Sequence, residues 1–277
     1  MNILVTGSNG FIGQHLVKEI KNRYKTYQLI NGSRYSFHNN KITVNLLNIN
    51  HIKFLLKEEL EIDVVIHLAA KMCTTNNNKD FSLLSENIKI YENLVLIINQ
   101  IRPKKVINFS STAVYPNIDG EYLESSEIRP SINNDCLYGL AKFCGENILD
   151  SLCEGIDIAH LRVSQVAENN RSDRVFEVMK KELFENNKIT VYGNGNRISG
   201  FIGINTLIKK INFFLENDIK GIYNTSEYNL SYKDLASNLI SKYGDQKSSI
   251  SYIDSGVSSK VIINNEKLKK AEQKHGL

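Results

Sequence analysis

Tyr138-Gly139-Leu140-Ala141-Lys142 sets a phenol and an ammonium at positions i and i+4. On a helix, side chains at that spacing share one face. An ordinary tyrosine titrates near pH 10, too high for efficient proton exchange at neutral pH, and a neighbouring cation favours the phenolate. A phenol tuned in this way can exchange a proton with a substrate oxygen. A run of hydroxyls stands upstream in Ser110-Ser111-Thr112, and a hydroxyl there can hydrogen-bond a reacting carbonyl. The same spacing recurs at Tyr243 and Lys247. Gly244 follows that tyrosine directly and is expected to end its helix, which separates the two side chains.

A second constellation lies near the start, in Thr6-Gly7-Ser8-Asn9-Gly10-Phe11-Ile12-Gly13. Its G-x-x-G-x-x-G spacing differs from the common G-x-G-x-x-G fingerprint. The physical content is the same: glycines allow a tight turn and close backbone approach to a pyrophosphate, and the helix that follows offers unpaired N–H groups and a partial positive charge. The end of the second predicted strand reads Asn31-Gly32-Ser33-Arg34. An acidic residue there would bind a ribose 2′-hydroxyl, and a basic one a 2′-phosphate. With no carboxylate present and Arg34 at hand, NADP is the expected dinucleotide and NAD the alternative.

These residues need elements to position them. Apolar runs at 3–6, 27–30, 42–44, 64–68, 106–109 and 156–161 alternate with helical periodicity at 11–20, 52–60, 87–101 and 138–153. Short apolar strands alternating with helices imply a parallel sheet covered on both faces, a doubly wound α/β fold. Such sheets bind ligands at the carboxyl ends of their strands, where the fifth strand delivers Ser111. Past 162 the rhythm loosens into helical segments at 175–185, 205–216 and 232–243, with a strand at 189–192. The expected organisation is a dinucleotide-binding domain over 1–165, joined by part of 200–225, and a smaller substrate-binding lobe over 166–277, with a cleft between.

Composition narrows the classes. The chain has 277 residues, 42% hydrophobic and 23% charged, which is ordinary for a globular protein. With 34 basic and 30 acidic residues the net charge is +4, too balanced for a nucleic-acid footprint. No apolar stretch approaches the roughly 20 residues that span a bilayer. Cys73, Cys136, Cys144 and Cys153 form no C-x-x-C pair and have no histidine at ligand spacing, so no metal is expected. Met1 opens straight into a strand-like run, and the expected location is the cytoplasm with reduced thiols.

Taken together, the motifs resemble the extended short-chain dehydrogenase/reductases of the nucleotide-sugar epimerase/dehydratase kind. Matching stretches are 6–13, 63–70 (DVVIHLAA), 87–94, 110–115, 138–142, 160–162 and 223–224, spread over nearly the whole chain. The resemblance implies Tyr138 as acid/base, Lys142 as holder of the nicotinamide ribose and tuner of Tyr138, and Ser111 as the catalytic hydroxyl, with Thr112 assisting. It implies that Leu68, Ala69 and Ala70 line the cofactor, that Asn45 sits near the adenine, and that Asn87 supports the site from its helix. It also implies a homodimer joined through the helices at 87–101 and 138–153. His67 and His160 are read as structural.

Departures from the family pattern sharpen the expected reaction. The dehydratases carry an Asp-Glu pair where this chain has Thr112 and Ala113, and the fucose-synthase type carries a cysteine where Ala113 stands. Hydride transfer with proton exchange at one oxygen remains. The favoured outcome is NAD(P)H-dependent reduction of a 4-keto (deoxy)sugar nucleotide; the alternative is NAD-dependent 4-epimerisation. A non-catalytic dinucleotide sensor or scaffold is the reading from another class. Many relatives place an arginine on the substrate diphosphate where Ser199-Gly200-Phe201 stands here. Arg197 is the expected substitute, with Arg171 and Arg174 as further phosphate contacts and Gln165 in place of a frequent asparagine.

Overall fold

A computed structural model describes residues 1–74, 76–167 and 175–276. The first half alternates strand and helix: β1 (Asn2–Thr6), α1 (Phe11–Ile20), β2 (Lys25–Ile30), β3 (Ser36–His38), β4 (Lys41–Thr43), α2 (Ile49–Leu56), β5 (Val64–His67), α3 (Ser82–Ile101) and β6 (Lys105–Ser111). After β7 (Gly120–Tyr122) come α4 (Cys136–Leu152) and β8 (Asp157–Val163). The second half holds β9 (Gln165–Ala167), α5 (Val175–Asn186), β10 (Lys188–Tyr192), β11 (Ile198–Gly203), α6 (Ile204–Glu216) and β12 (Gly221–Thr225). It closes with β13 (Tyr228–Ser231), α7 (Tyr232–Tyr243), β14 (Ser249–Ile253), β15 (Val261–Ile263) and α8 (Glu266–Lys274).

An eight-stranded sheet in the order β12-β8-β6-β5-β1-β2-β4-β3 forms the centre. Every pairing in it is parallel except that of β3 with β4. The chain lays β2 and β4 to one side of β1, then crosses back to place β5, β6, β8 and β12 on the other. That reversal between β1 and β5 is the topological switch point, where the connecting loops part and leave a crevice. Helices α1, α6 and α8 bury Leu16, Ile20, Leu207, Phe214 and Leu268 against one face. Helices α2, α3 and α4 bury Ile52, Leu94, Ile98 and Leu149 against the other. Strands covered on both sides carry apolar residues throughout, which is why β5 is buried along its whole length.

A smaller layer lies beyond the carboxyl ends of the strands. Strands β13, β11 and β9 form a three-stranded sheet, and β10 pairs with β14. Helices α5 and α7 close over them around Met179, Leu183, Ile189, Phe201 and Leu239. No helix among the described residues is long and apolar enough to cross a membrane.

Two local differences from the sequence expectation have clear causes. Strand β3 is an unanticipated edge strand, joined to β4 by Asn39-Asn40, both with left-handed φ (48° and 62°). Asparagine tolerates that region, and the pair makes a two-residue hairpin turn. Helix α3 starts at Ser82 because the Asp80 carboxylate accepts from both the backbone N–H and the hydroxyl of Ser82.

Candidate active site

A cleft of about 720 Å³ opens at the carboxyl ends of β1, β5 and β6 and runs to the β9–β11 layer. Its floor is glycine by necessity. Gly7 has φ +66°, and a Cβ there would stand 2.9 Å from the Ala69 nitrogen. A Cβ on Gly13 would stand 2.3 Å from the Gly7 carbonyl oxygen, so α1 can begin this close to the loop only without a side chain. Gly10 caps α1 with no side-chain hydrogen bond, which leaves the first N–H groups of the helix to the cleft. Thr6 ties the two loops of the crevice together, its hydroxyl oxygen accepting from the N–H groups of Leu68 and Ala69 at 3.2 and 3.1 Å. Asn9, Phe11, Ile12 and Ala70 complete this wall, and Asn31 and Asn45 line its far end. A cradle that excludes Cβ atoms, beside the uncapped start of a helix, fits the diphosphate of a dinucleotide.

On the opposite wall stand Ser111, Thr112, Tyr138 and Lys142. Gly139 brings them together: a Cβ there would lie 2.1 Å from the Ala113 carbonyl oxygen, so α4 rests directly on the loop after β6. The Ser111 hydroxyl oxygen caps that loop, accepting from the Ala113 N–H at 3.1 Å. The Tyr138 hydroxyl reaches the Met72 sulfur at 3.8 Å. Lys142 is buried, donates to the Phe109 carbonyl at 2.6 Å, and lies 5.7 Å from the centre of the Tyr138 ring. Burial pushes its ammonium down to about 8, with the Glu146 carboxylate acting to raise it. Glu146 is itself held by a two-point ion pair with Arg162 and by the Ser110 hydroxyl. Arg162 continues to the Tyr115 hydroxyl at 2.9 Å, which donates to Asn224 at 2.8 Å. A closed buried network therefore fixes the backs of β6, α4 and β8 behind the reactive face.

At the β9–β11 end, Gln165 donates to the Tyr232 hydroxyl at 3.2 Å, and the Arg197 guanidinium lies 4.8 Å from the centre of the same ring. Both line the cleft. Ser199 and Gly200 line it too.

Other expected site residues lie elsewhere. Asn87 is buried and does not line the cleft. Its amide instead clamps the backbone of Lys71, accepting from the N–H at 3.0 Å and donating to the carbonyl at 2.9 Å, so it shapes the loop after β5. Arg34 is exposed and also lies off the cleft, because the chain turns away after Asn31 toward β3. Arg171 and Arg174 fall outside the described residues. His67 and His160 are both buried within the sheet, hydrogen-bonded to Thr6 and Asn108. Tyr243 ends α7 and Gly244 caps it, so Lys247 falls outside the helix.

The structure adds cleft residues that the motifs did not single out. Lys71 lines the cleft, paired with Glu86 at 2.7 Å. The Cys73 thiol donates to the Asp135 carboxylate at 3.4 Å. All four follow matched motifs or precede them by a few residues, and only the fold shows that the two loops meet.

Fold and cleft define a doubly wound protein with a dinucleotide cradle facing a Ser–Tyr–Lys set. The chain belongs to the NAD dependent epimerase/dehydratase family, whose model matches residues 3–226, and is thus an enzyme of the extended short-chain dehydrogenase/reductase type. It is 26% identical over 261 residues to human dTDP-D-glucose 4,6-dehydratase, covering 86% of this chain and 73% of that protein. It is 26% identical over 227 residues to GDP-6-deoxy-D-talose 4-dehydrogenase of Aggregatibacter actinomycetemcomitans, covering 79% and 72%. Among solved structures, UDP-glucuronic acid 4-epimerase of Bacillus cereus with UDP-glucuronic acid and NAD superposes with a TM-score of 0.81, at 24% identity over 99% and 93% of the two chains.

Proposed function

We propose that this protein reduces a 4-keto (deoxy)sugar nucleotide with NAD(P)H, Tyr138 delivering the proton. The observation that carries this is the meeting of Ser111, Tyr138 and Lys142 with the Gly7–Gly13 cradle on one cleft, with no carboxylate at 112 or 113. The nearest acids on the cleft wall, Glu86 and Asp135, are engaged by Lys71 and Cys73. A bound nicotinamide supplies the hydride. The Ser111 hydroxyl orients the carbonyl oxygen, and Tyr138 gives that oxygen its proton as the C=O bond becomes an alcohol. Lys142 stabilises the phenolate left behind. Arg197, steadied on the Tyr232 ring, takes the substrate diphosphate. One relative is named for net oxidation at C4 of a nucleotide deoxysugar, the reverse of this reaction. In this reading residues 1–165, joined by part of 200–225, hold the cofactor, the smaller lobe within 166–277 holds the sugar nucleotide, and two copies pair through α3 and α4. Light scattering tests the pairing by mass.

Purified protein should consume NADPH stoichiometrically with a UDP-, dTDP- or GDP-4-keto-6-deoxyhexose. Interconversion of two sugar nucleotides without net cofactor change would make it a 4-epimerase instead. Binding of dinucleotide without turnover of any sugar nucleotide would make it a sensor.

The epimerase reading is favoured by one observation, the placement of Arg34 off the cleft, which weakens the case for a 2′-phosphate. Arg34→Ala decides between the cofactors. If the exposed guanidinium folds onto a 2′-phosphate, NADPH affinity falls about tenfold, roughly 1.4 kcal/mol, while NADH affinity holds. An unchanged NADPH affinity would refute the role of Arg34, and tighter binding of NADH than of NADPH by the wild type would assign the chain to NAD.

A further inference from the structure

Tyr91 lies on α3, one turn after Asn87, and its ring is enclosed behind the cleft. Gly145 of α4 makes room for it, since a Cβ at 145 would stand 2.1 Å from the ring. The Tyr91 hydroxyl donates to the Asn108 side-chain oxygen at 3.2 Å. The Asn108 amide nitrogen is then the donor to His160 Nδ1 at 2.9 Å, and His160 Nε2–H donates to Asp150 at 2.9 Å. Each member of this chain has one direction of donation, and it ends on an exposed carboxylate on α4. The ring is therefore held from both its edge and its face.

The held ring meets two polar groups at the back of the active site. The Lys142 nitrogen lies 5.7 Å from its centre, within the range at which an aromatic face attracts a desolvated cation. The His67 ring lies 5.2 Å away, near edge-on. His67 is uncharged. The Thr6 oxygen already accepts from Leu68 and Ala69, so its hydrogen goes to His67 Nδ1, and burial holds the imidazole well below its ordinary titration range. Among the described residues, Lys142 is then the one cation at this ring. Groups that face it are Glu146 and Tyr138 from α4, Tyr91 from α3, neutral His67 from β5 and the Phe109 carbonyl from β6.

We propose that Tyr91 is a positioning residue for proton transfer: its locked ring holds the Lys142 ammonium charged and in place between the Phe109 carbonyl and Tyr138. The inference rests on the reading of Tyr138 and Lys142 given under Proposed function. It assigns the Asn108–His160–Asp150 chain to the anchoring of that ring, and Gly145 to its accommodation.

Tyr91→Thr with Gly145→Ala removes the ring and refills part of its recess, so packing and positioning can be told apart. The double variant should melt about 5–10 °C below wild type for the lost packing while still folding at assay temperature, lose about tenfold in turnover, and show its alkaline activity limb at lower pH, because a buried ammonium without the ring gives up its proton more readily. Tyr91→Phe keeps the ring and should retain turnover within about threefold with an unmoved limb. Wild-type turnover and pH profile in the double variant would overturn the proposal. Should that variant not fold, Tyr91→Leu is judged by the same two outcomes. A readout without turnover separates this from failure of the proposed reaction. The pH midpoint of Lys142 acylation, read by mass spectrometry, should fall in the ring-less variant and hold in Tyr91→Phe. An unmoved midpoint in both refutes the role of Tyr91 even if wild type turns over no sugar nucleotide.

Discussion

Tyr138→Phe should lower turnover by about 10²–10⁴-fold while dinucleotide affinity stays within a few-fold of wild type. The substitution deletes one oxygen from a half-buried ring and leaves α4, Gly139 and the cradle as they are. In the proposed mechanism what is lost is the acid that protonates the carbonyl oxygen as hydride arrives, and Ser111 cannot replace it, because an aliphatic hydroxyl is a far weaker acid than a phenol beside a cation. Stability should move by less than about 1 kcal/mol, since no packed core is disturbed. The measurement is kcat with a 4-keto sugar nucleotide, set beside NADPH binding by fluorescence and a melting curve. Turnover within tenfold of wild type would remove Tyr138 from the reaction, and the proposed mechanism with it.

How far the sequence could carry the structure is visible in particular residues. The six apolar runs of the first half all became parallel strands, because burial on both faces demands continuous apolar residues and leaves little ambiguity. The glycine cradle and the Tyr–Lys pair were legible as local patterns, and the fold brings them to one cleft. Asn87 and Arg34 show the limit. Their types and positions fitted a cofactor, yet one turns inward to hold a loop and the other follows the chain out to an edge hairpin. Side-chain direction depends on where the neighbouring loop goes, and periodicity carries no information on that. The Lys71–Glu86 and Cys73–Asp135 contacts were hidden for the same reason: each joins two segments that meet only after the sheet has formed. Tyr91 and Gly145 were illegible as a pair, since a bulky residue on one helix and a missing side chain on another are related only through helix packing.

Lys142→Met should stabilise the protein at pH 7 while abolishing its chemistry. Burial pushes the Lys142 ammonium down to about 8 from the ordinary lysine value of 10.5. Between those two pH values the unfolded chain holds a proton that the native chain has released, so stability rises with pH across this window. Below about 8 both states are charged and the full cost of burying the cation is carried by the fold. At 1.36 kcal/mol per pH unit that cost is about 3 kcal/mol, an upper figure. Methionine fills nearly the same volume and carries no charge. It forfeits the hydrogen bond to the Phe109 carbonyl, worth about 1 kcal/mol, so the net gain expected at pH 7 is about 1–2 kcal/mol. The gain should shrink as the pH approaches 10, where wild-type Lys142 is neutral in the folded state. Turnover should drop at least about 10²-fold, because in the proposed mechanism the phenol then lacks the neighbouring cation that stabilises its anion. Wild-type turnover should likewise decline above about pH 8 as Lys142 loses its charge. Denaturant unfolding at pH 7 and pH 10, paired with kcat, tests both halves. A Lys142→Met protein less stable than wild type at pH 7 would mean that the ammonium serves the fold. A protein more stable and inactive would mean that the fold carries a buried charge for the sake of the reaction.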